Sequence, residues 1–422
     1  MQSSDRNILL GVFVLALLLR IFCLTILPPT REWADAGTYD TLASQIIEGK
    51  GFTSSSGAPT RIRPPVYPLF VAATYFVTGR SPLAAAVVQT LIGSLAAALL
   101  YFIAIRFADR RVALTASFIA ATYPALIFYD SRLLREGFTA SLVVLSALAA
   151  FRAKKKQTAV SYLTLGAALG TVSMCRPETV LLAVPLFWIA MPAMRPISRV
   201  IRPAAIIAGT ILLAWTPWTV RNVIHFGSVS PVHAGLGSTL WFGSRWAANN
   251  GDDHTTTDRQ ALQQETRTIQ RQAGKEKADG VFFVRVLNDI GERPYWFAHM
   301  VGRKALMFWK DANGVRKTLP KVHPWMPIVV NTYYYSLLAL AALGAVHFRH
   351  RIDTSKIAVL IISYMGIYAV LHVRNRYRIP ILPMVFLLSS LGFWGCIDWM
   401  AERNHVLSYL LEKWSPRRSV TQ

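Results

Sequence analysis

Cysteine and charged residues are scarce in this sequence. The 422 residues include only three cysteines, Cys23, Cys175 and Cys396, without CxxC spacing. We interpret them as inert, which excludes a disulfide framework or a cysteine-rich zinc site. Charged residues make up 16% of the chain, too few for an ordinary soluble domain. HExxH, EF-hand and nucleotide-binding motifs are also absent. No cofactor is therefore predicted, and a divalent cation is left open without support.

Apolar residues are abundant instead. They account for 53% of the sequence, and the mean hydropathy is +0.36. This composition predicts an all-α polytopic membrane protein. The net charge of +23 comes from basic residues scattered between apolar segments, which favours attraction to anionic lipid over nucleic-acid binding.

Apolar segments of about the length of a hydrocarbon core predict about ten transmembrane helices. The first lacks a small-residue cleavage site, so we interpret it as an uncleaved helix. The segments are 7–27, 82–107, 111–130, 137–153, 158–175, 178–194, 203–225, 324–347, 356–373 and 379–399.

The stretch 64–79 decides the topology, because it is apolar but short and rich in proline. If it does not cross the membrane, the basic connections all lie on one side, as the positive-inside rule requires of the cytoplasm. We therefore predict that it is a surface-lying or re-entrant helix and that both termini are cytoplasmic. The basic connections are 109–111, 152–156, 195–202, 347–351 and a tail with Lys413, Arg417 and Arg418.

This topology divides the chain into three parts. Residues 1–225 form an N-terminal transmembrane catalytic module, whose first outer loop, 28–81, contains two juxtamembrane helices. Residues 226–322 form a long extracytoplasmic loop with interfacial helices, and 323–422 form the last three transmembrane helices and a cytoplasmic tail.

A helix with a carboxylate at its start follows the first apolar segment. Tyr39, Leu42 and Ile46 recur at three- and four-residue steps, which predicts an amphipathic helix on the membrane surface. Asp35 at its first turn is our candidate general base, and capping of backbone amides is the alternative. Tyr39 shares its face and would help to orient it, whereas Asp40 is expected to be solvated.

Arginines at the outer ends of the predicted spans form a second candidate group. Guanidinium groups match phosphate oxygens, and a phosphate at the membrane boundary belongs to a lipid head group. Pairing with Asp130, Glu136 or Glu178 is the alternative, as is snorkelling towards lipid. Glu136 and Glu178 would orient these cations or serve as a second acid. The candidate phosphate ligands are Arg63, Arg132, Arg135, Arg176, Arg221, Arg376 and Arg378.

The long outer loop has a polar centre between apolar, aromatic flanks. Its centre, 249–277, predicts a flexible loop or a loose helix, and 282–287 and 295–309 predict helices at the interface. In the glycine-rich run 235–244, Trp241 is suited to stacking against a sugar. Residues 252–254, Asp-Asp-His, are more typical of a solvated loop than of a metal site.

Several short motifs, taken in order, resemble the GT-C glycosyltransferases. The resemblance is to bacterial members of the family of dolichyl-phosphate-mannose–protein mannosyltransferases, which also includes lipid A aminoarabinose transferases. It covers most of the chain. The motifs are Asp35 with Tyr39 ahead of Glu48–Phe52, then Arg63–Leu69, Arg176–Glu178, Pro217–Asn222, Leu240–Gly243 and Arg376–Pro380.

This resemblance implies a GT-C fold and an inverting glycosyltransferase of the bacterial inner membrane. The enzyme would take a sugar from a polyprenyl-phosphate donor on the periplasmic side and pass it to a glycan, lipid or protein acceptor there. Asp35 matches the catalytic acid of the family. Ala36 stands where many members have a second acidic residue, so the resemblance does not extend to a second carboxylate or a metal at that point.

Two other functions fit a membrane protein of this composition. A transporter of lipid-linked saccharides should have broken helices in pairs or ionisable residues near midspan. A non-catalytic assembly factor would need no converging arginines. The clustering of ionisable residues at one face favours surface chemistry over both.

Overall fold

The computed structural model describes residues 3–27, 34–192, 196, 198–227, 229, 235–248, 256–274, 277–310 and 325–403. Within these ranges the chain is helical, and the only β-pairing is an isolated bridge between Thr53 and Pro59. The all-α prediction is confirmed. The predicted basic tail with Lys413, Arg417 and Arg418 and the tripeptide 252–254 lie outside the described residues.

The described residues between 3 and 227 form ten α-helices. They are α1 (Ser3–Ile26), α2 (Ala34–Ile47), α3 (Val66–Thr78), α4 (Pro82–Ala104), α5 (Arg110–Thr122), α6 (Pro124–Asp130), α7 (Arg135–Lys156), α8 (Ala159–Cys175), α9 (Ala183–Ala190) and α10 (Ser198–Phe226). A 3₁₀ helix, Pro177–Leu182, leads directly into α9.

The second half continues in the same way. Its helices are α11 (Leu236–Ala248), α12 (Thr256–Ala273), α13 (Ala278–Glu292), α14 (Pro294–Trp309), α15 (Met326–His347), α16 (Ile352–Val370) and α17 (Leu382–Ala401). The 3₁₀ helix Asn375–Ile381 leads into α17.

All ten predicted apolar segments fall on these helices. By length and composition, seven helices of the described chain can cross a membrane, or eight if α5 and α6 form one span bent by 55°. The remaining two segments are α8 and the 3₁₀ helix with α9, which are shorter than the rest. Proline contributes to both irregular segments, because Pro124 starts α6 and Pro177 starts the 3₁₀ helix.

Contacts at the two ends of the bundle show how α7 runs relative to α8 and α16. At one end, Arg135 at the start of α7 donates to the carbonyl of Cys175 at the end of α8, at 3.1 Å. Asp35 lies at this end, which we call the Asp35 end. At the opposite end, Lys154 near the end of α7 pairs with Asp353 at the start of α16, at 2.5 Å.

The helices α2 and α3 pack side by side at the Asp35 end. Tyr39 is buried with its ring edge-on to Tyr67, at 4.6 Å between centroids. With 13 residues, α3 is about 20 Å long, less than a hydrocarbon core. This length agrees with the prediction that 64–79 does not cross the membrane by itself.

The expectation that Asp40 is solvated is wrong. Its side chain is 2% exposed and accepts hydrogen bonds from Tyr75 at 2.9 Å and from Arg80 at 2.6 Å. The cause is packing, because α3 and the residues after it cover this face of α2.

A buried ion pair joins α1 to α6. Arg20 Nε donates to Asp130 Oδ2 at 2.8 Å, and both side chains are nearly inaccessible. Arg20 Nη1 also donates to the carbonyls of Ala16 and Ala121. The sequence suggested Asp130 as a partner for the outer arginines, but here it pairs with Arg20, a residue that the sequence analysis did not single out.

The helix α10 lies closely against α8. Gly166 and Gly170 of α8 face it, and a Cβ atom at Gly166 would lie 2.7 Å from Thr210 Cβ. Small residues four apart on one helix let two backbones approach each other, so α10 packs directly against α8.

The outer segment after α10 is also helical. Where a flexible loop or loose helix was expected at 249–277, α12 forms a regular helix over Thr256–Ala273, and 249–255 and 275–276 lie outside the described residues. The helices α11 and α13 pack around Trp241, whose ring lies 5.4 Å from that of Phe282.

Candidate active site

Two arginines from distant parts of the chain hold the Asp35 carboxylate. Arg63 Nη2 donates to Asp35 Oδ1, and Arg376 Nη2 donates to Asp35 Oδ2 at 2.5 Å. The arginines lie 28 and 341 residues along the chain from Asp35. The carboxylate is 20% exposed, so water and a ligand can reach it. Asp35 thus links the first loop to the 3₁₀ helix Asn375–Ile381.

Arg376 lies between two carboxylates. In addition to its bond with Asp35, its Nε lies 3.3 Å from Glu136 Oε1, within ion-pair distance but without the alignment of a hydrogen bond. Glu136 is in the first turn of α7 and is 2% exposed. The guanidinium is therefore held in place from two sides.

The charges around Asp35 set its protonation state. Burial raises the pKa of Asp35, but the nearby charges of Arg376, Arg63 and Arg135 together outweigh burial and place this pKa below the ordinary value of 3.8. The carboxylate is therefore ionised at neutral pH. Each of its oxygens already accepts a bond from a guanidinium.

A second guanidinium lies deeper in the same end of the bundle. Arg176 is 0% exposed, and its Nε donates to Glu178 Oε1 at 3.1 Å. Its Nη1 and Nη2 are buried and have no hydrogen-bond partner. Unsatisfied N–H groups of a buried cation are costly, and they match the oxygens of a phosphate or carboxylate.

Aromatic rings connect Arg176 to the pair around Asp35. Tyr377 is shared, because the Arg176 guanidinium lies 4.4 Å and the Arg376 guanidinium 5.9 Å from its ring centre. Tyr368 lies 5.2 Å from Arg176, and its hydroxyl donates to Glu178 Oε1 at 2.7 Å. Glu178 therefore orients both Arg176 and Tyr368.

Tyr39 and Arg135 complete the group. The Arg63 guanidinium lies 5.4 Å from the ring of Tyr39, so the tyrosine supports one arginine that holds Asp35. Arg135 is fixed at the start of α7 by its bond to the Cys175 carbonyl. The structure thus brings together eight of the twelve predicted site residues: Asp35, Tyr39, Arg63, Arg135, Glu136, Arg176, Glu178 and Arg376.

The other four predicted site residues make contacts elsewhere. Arg132 lies 5.1 Å from the ring of Phe128. Arg221 donates to the carbonyl of Phe52 at 2.8 Å and tethers the first loop to α10.

Arg378 Nη1 donates to the carbonyls of Phe308 at 3.1 Å and Lys310 at 2.9 Å, which ties the end of α14 to the second 3₁₀ helix. Trp241 is buried between α11 and α13, where Arg245 lies 3.9 Å from its ring. It does not present a ring to the Asp35 carboxylate.

Sequence reasoning gave no role to Tyr368 or Tyr377. Tyr377 lies between Arg376 and Arg378, two candidate phosphate ligands, so its position in the sequence could have indicated a role in the site. Tyr368 is one of several hydroxyls in the apolar segment of α16, and nothing in the sequence distinguishes it. Among the residues that the structure describes, no three His, Cys, Asp or Glu side chains are close enough to hold a metal ion.

Residues 62–220 match the model of the dolichyl-phosphate-mannose-protein mannosyltransferase family. The matched range includes Arg63, Arg135 and Arg176, but not Asp35 or Arg376. No curated protein sequence matches the chain.

Solved structures share the architecture. The archaeal oligosaccharyltransferase AglB from Archaeoglobus fulgidus, solved with an inhibitory peptide and a dolichol-phosphate, is 14% identical, with a TM-score of 0.58 over 100% of this chain and 53% of its own. The Archaeoglobus fulgidus oligosaccharyltransferase tethered to an acceptor peptide with an NVT sequon is also 14% identical, with a TM-score of 0.59. The match covers 100% of this chain and 52% of that enzyme. This chain therefore spans about half the length of these enzymes.

ArnT from Cupriavidus metallidurans in the apo state is also similar, at 12% identity and a TM-score of 0.43 over 92% of this chain and 77% of its own. The resemblance read from the motifs is confirmed: the chain matches the mannosyltransferase family over residues 62–220 and has the GT-C fold.

Proposed function

We propose that this protein is an inverting glycosyltransferase that moves a sugar from a polyprenyl-phosphate donor to a glycan, lipid or protein acceptor. The reaction takes place at the Asp35 end, which faces the periplasm or exterior. One observation carries the proposal: an ionised carboxylate lies between two guanidiniums, beside a buried guanidinium with two unsatisfied nitrogens. The family match over 62–220 and the dolichol-phosphate bound to AglB support a lipid-linked donor.

The chemistry needs a base and a stabilised leaving group. Asp35 accepts the proton of the acceptor hydroxyl while that oxygen forms a bond to the anomeric carbon of the sugar. The bond between this carbon and the phosphate oxygen breaks, and the polyprenyl phosphate leaves with the electron pair. Fixed guanidiniums stabilise the negative charge that develops on it.

Four arginines of the site are suited to bind the donor phosphate. Arg63, Arg135 and Arg376 are partly exposed, and Arg176 lies deeper. We assign Arg221 and Arg378 to holding the loops, because backbone carbonyls accept their N–H groups. Arg132 packs on Phe128 and is outside the proposed phosphate site.

Donor binding should also prepare the base. In the structure Arg63 and Arg376 form ion pairs with Asp35, so a phosphate that binds these arginines competes with the carboxylate. Loss of these contacts would raise the pKa of Asp35 towards its ordinary value and free an oxygen lone pair. A carboxylate of higher pKa is the better proton acceptor. The donor would thus bind before the acceptor reacts.

The direct test is to incubate the purified, reconstituted protein with labelled polyprenyl-phosphate sugars and candidate acceptors. We expect a labelled product whose anomeric configuration is inverted. A donor that crosses the bilayer unchanged would indicate a transporter instead. A folded protein that neither consumes nor moves any donor would indicate an assembly factor.

A further inference from the structure

A cavity of about 480 Å³ lies at the end of the bundle opposite Asp35. It is formed where the turn between α7 and α8 meets the start of α10, and its volume is within the roughly 300–1,000 Å³ typical of ligand sites. With 17 residues, α8 separates it from the Asp35 end by about 25 Å. The cavity is therefore distinct from the proposed active site. Its lining residues are Gln157, Thr158, Ala159, Tyr162, Arg199, Arg202, Pro203 and Ile206.

The polar side of this cavity is strongly cationic. Arg199 and Arg202 line it one turn apart on α10, and both are exposed. Lys155 and Lys156 precede it at the exposed end of α7. Between residues 150 and 206 the only acidic residue is Glu178, which belongs to the other end of the bundle. Asp353 of α16 lies at the cavity's end of the bundle, but its carboxylate is paired with Lys154. The local field thus favours an anion.

Hydrogen bonds of Gln157 hold one wall of the cavity together. Gln157 adopts a left-handed conformation, with φ of 50°, and its side-chain amide donates to the carbonyls of Ala153 and Ala190 at 2.9 Å. Its oxygen accepts a hydrogen bond from Tyr162 at 2.8 Å. One side chain therefore holds the ends of α7 and α9 and the start of α8. Thr158 caps α8, so the arginines, not the helix end, supply the attraction.

The other side of the cavity is apolar and continues along the bundle surface. Pro203 and Ile206 line it, and Val160, Leu163 and Ile201 beside it are 68%, 48% and 60% exposed. In a membrane protein this surface faces acyl chains. A cationic mouth above an exposed apolar surface matches an amphiphile with a phosphate head group.

We propose that this cavity binds the head group of an anionic phospholipid. Arg199 and Arg202 contact the phosphate, and the acyl chains lie over the exposed face of α8 and α10. None of these residues belongs to the Asp35 site, so the lipid site and the proposed function can be tested independently.

The test measures lipid binding to the full-length, detergent-solubilised protein by native mass spectrometry. Phosphatidylglycerol, phosphatidylcholine and inorganic phosphate are titrated separately. The variants are Arg199→Gln/Arg202→Gln, the charge-preserving Arg199→Lys/Arg202→Lys, and a control, Arg106→Gln/Arg349→Gln. The control removes two exposed arginines at the same end that do not line the cavity.

We expect phosphatidylglycerol to bind the wild type and the control alike and the glutamine pair about 30-fold more weakly, the ratio for two arginines near an anionic surface. The lysine pair should keep most of the affinity. Equal losses in the glutamine pair and the control would show general charge attraction and overturn the site. Binding of inorganic phosphate or phosphatidylcholine as tight as that of phosphatidylglycerol would overturn the assignment to an anionic lipid.

Discussion

Arg376 and Arg378 are two residues apart, and the structure predicts that removing them affects different properties of the protein. Arg376 contacts Asp35 and lies at the entrance of the proposed phosphate site, whereas Arg378 donates to two backbone carbonyls. Glutamine at either position removes the charge and keeps a side chain of similar polarity. The two variants therefore form a matched pair.

The expected magnitudes follow from these contacts. Loss of one charge-assisted hydrogen bond to the donor phosphate costs about 1.5–3 kcal/mol, so Arg376→Gln should weaken donor binding about 10- to 150-fold. Arg378→Gln leaves donor affinity within about twofold, since its contacts are to Phe308 and Lys310. It should lower the free energy of unfolding by about 1–3 kcal/mol, because the carbonyl of the buried residue Phe308 loses a charged donor.

The assay is equilibrium binding of a polyprenyl-phosphate sugar to each folded variant, together with thermal unfolding in the same detergent. The wild type supplies the reference. Unchanged donor affinity in Arg376→Gln would remove this arginine from the phosphate site. A large loss of affinity in a stable Arg378→Gln variant would refute the division of roles between the two residues.

Three further predictions concern the fold and the charge of the site. Cysteine introduced at Ser81 should be labelled from the same side as the Asp35 end, and one at Arg110 from the opposite side; labelling of Ser81 from the cytoplasm with Arg110 from outside would refute the topology. Asp130→Asn should cost about 3–5 kcal/mol of stability because it leaves Arg20 buried and unpaired. The double variant Arg20→Met/Asp130→Asn should recover part of this stability, and a double variant less stable than Asp130→Asn would contradict the prediction. Because the pKa of Asp35 is lowered on folding, its ion pairs stabilise the protein above pH 3.8 and lose this effect as the pH falls through the lowered pKa. Asp35→Asn should therefore reduce the loss of thermal stability below about pH 4, and identical acid profiles would show that these ion pairs do not contribute.

The membrane-embedded part of the fold was predictable because hydropathy and helix length are local properties. All ten apolar segments, and the helix with Asp35 and Tyr39, were found from such local patterns. The same reasoning identified a helix α3 that is too short to cross a membrane. What the sequence did not distinguish was which side of α2 would be covered, and so Asp40 was expected in water although it is buried against Arg80.

The candidate site was predictable only in part, because the arginines that meet Asp35 come from widely separated elements. Arg376 and Arg378 look equivalent in the sequence, yet the 3₁₀ helix turns one towards Asp35 and the other towards α14. Trp241 lies in a glycine-rich run typical of a sugar platform but is buried by α13. Arg20 was missed because a lone arginine in an apolar helix has no local sign of its partner 110 residues away.

The most direct test of the proposed function is Asp35→Asn, measured for both transfer and donor binding. The amide has the size of the carboxylate, but it cannot accept a proton. The control is Glu48→Gln, which removes an exposed carboxylate just beyond the same helix. We expect Asp35→Asn to lower transfer by at least about 10²–10⁴-fold. Donor binding should not be weakened, because Arg63 and Arg376 no longer share their charge with a carboxylate. Substantial turnover by a well-folded Asp35→Asn enzyme would contradict the central claim and direct attention to Glu136 or Glu178.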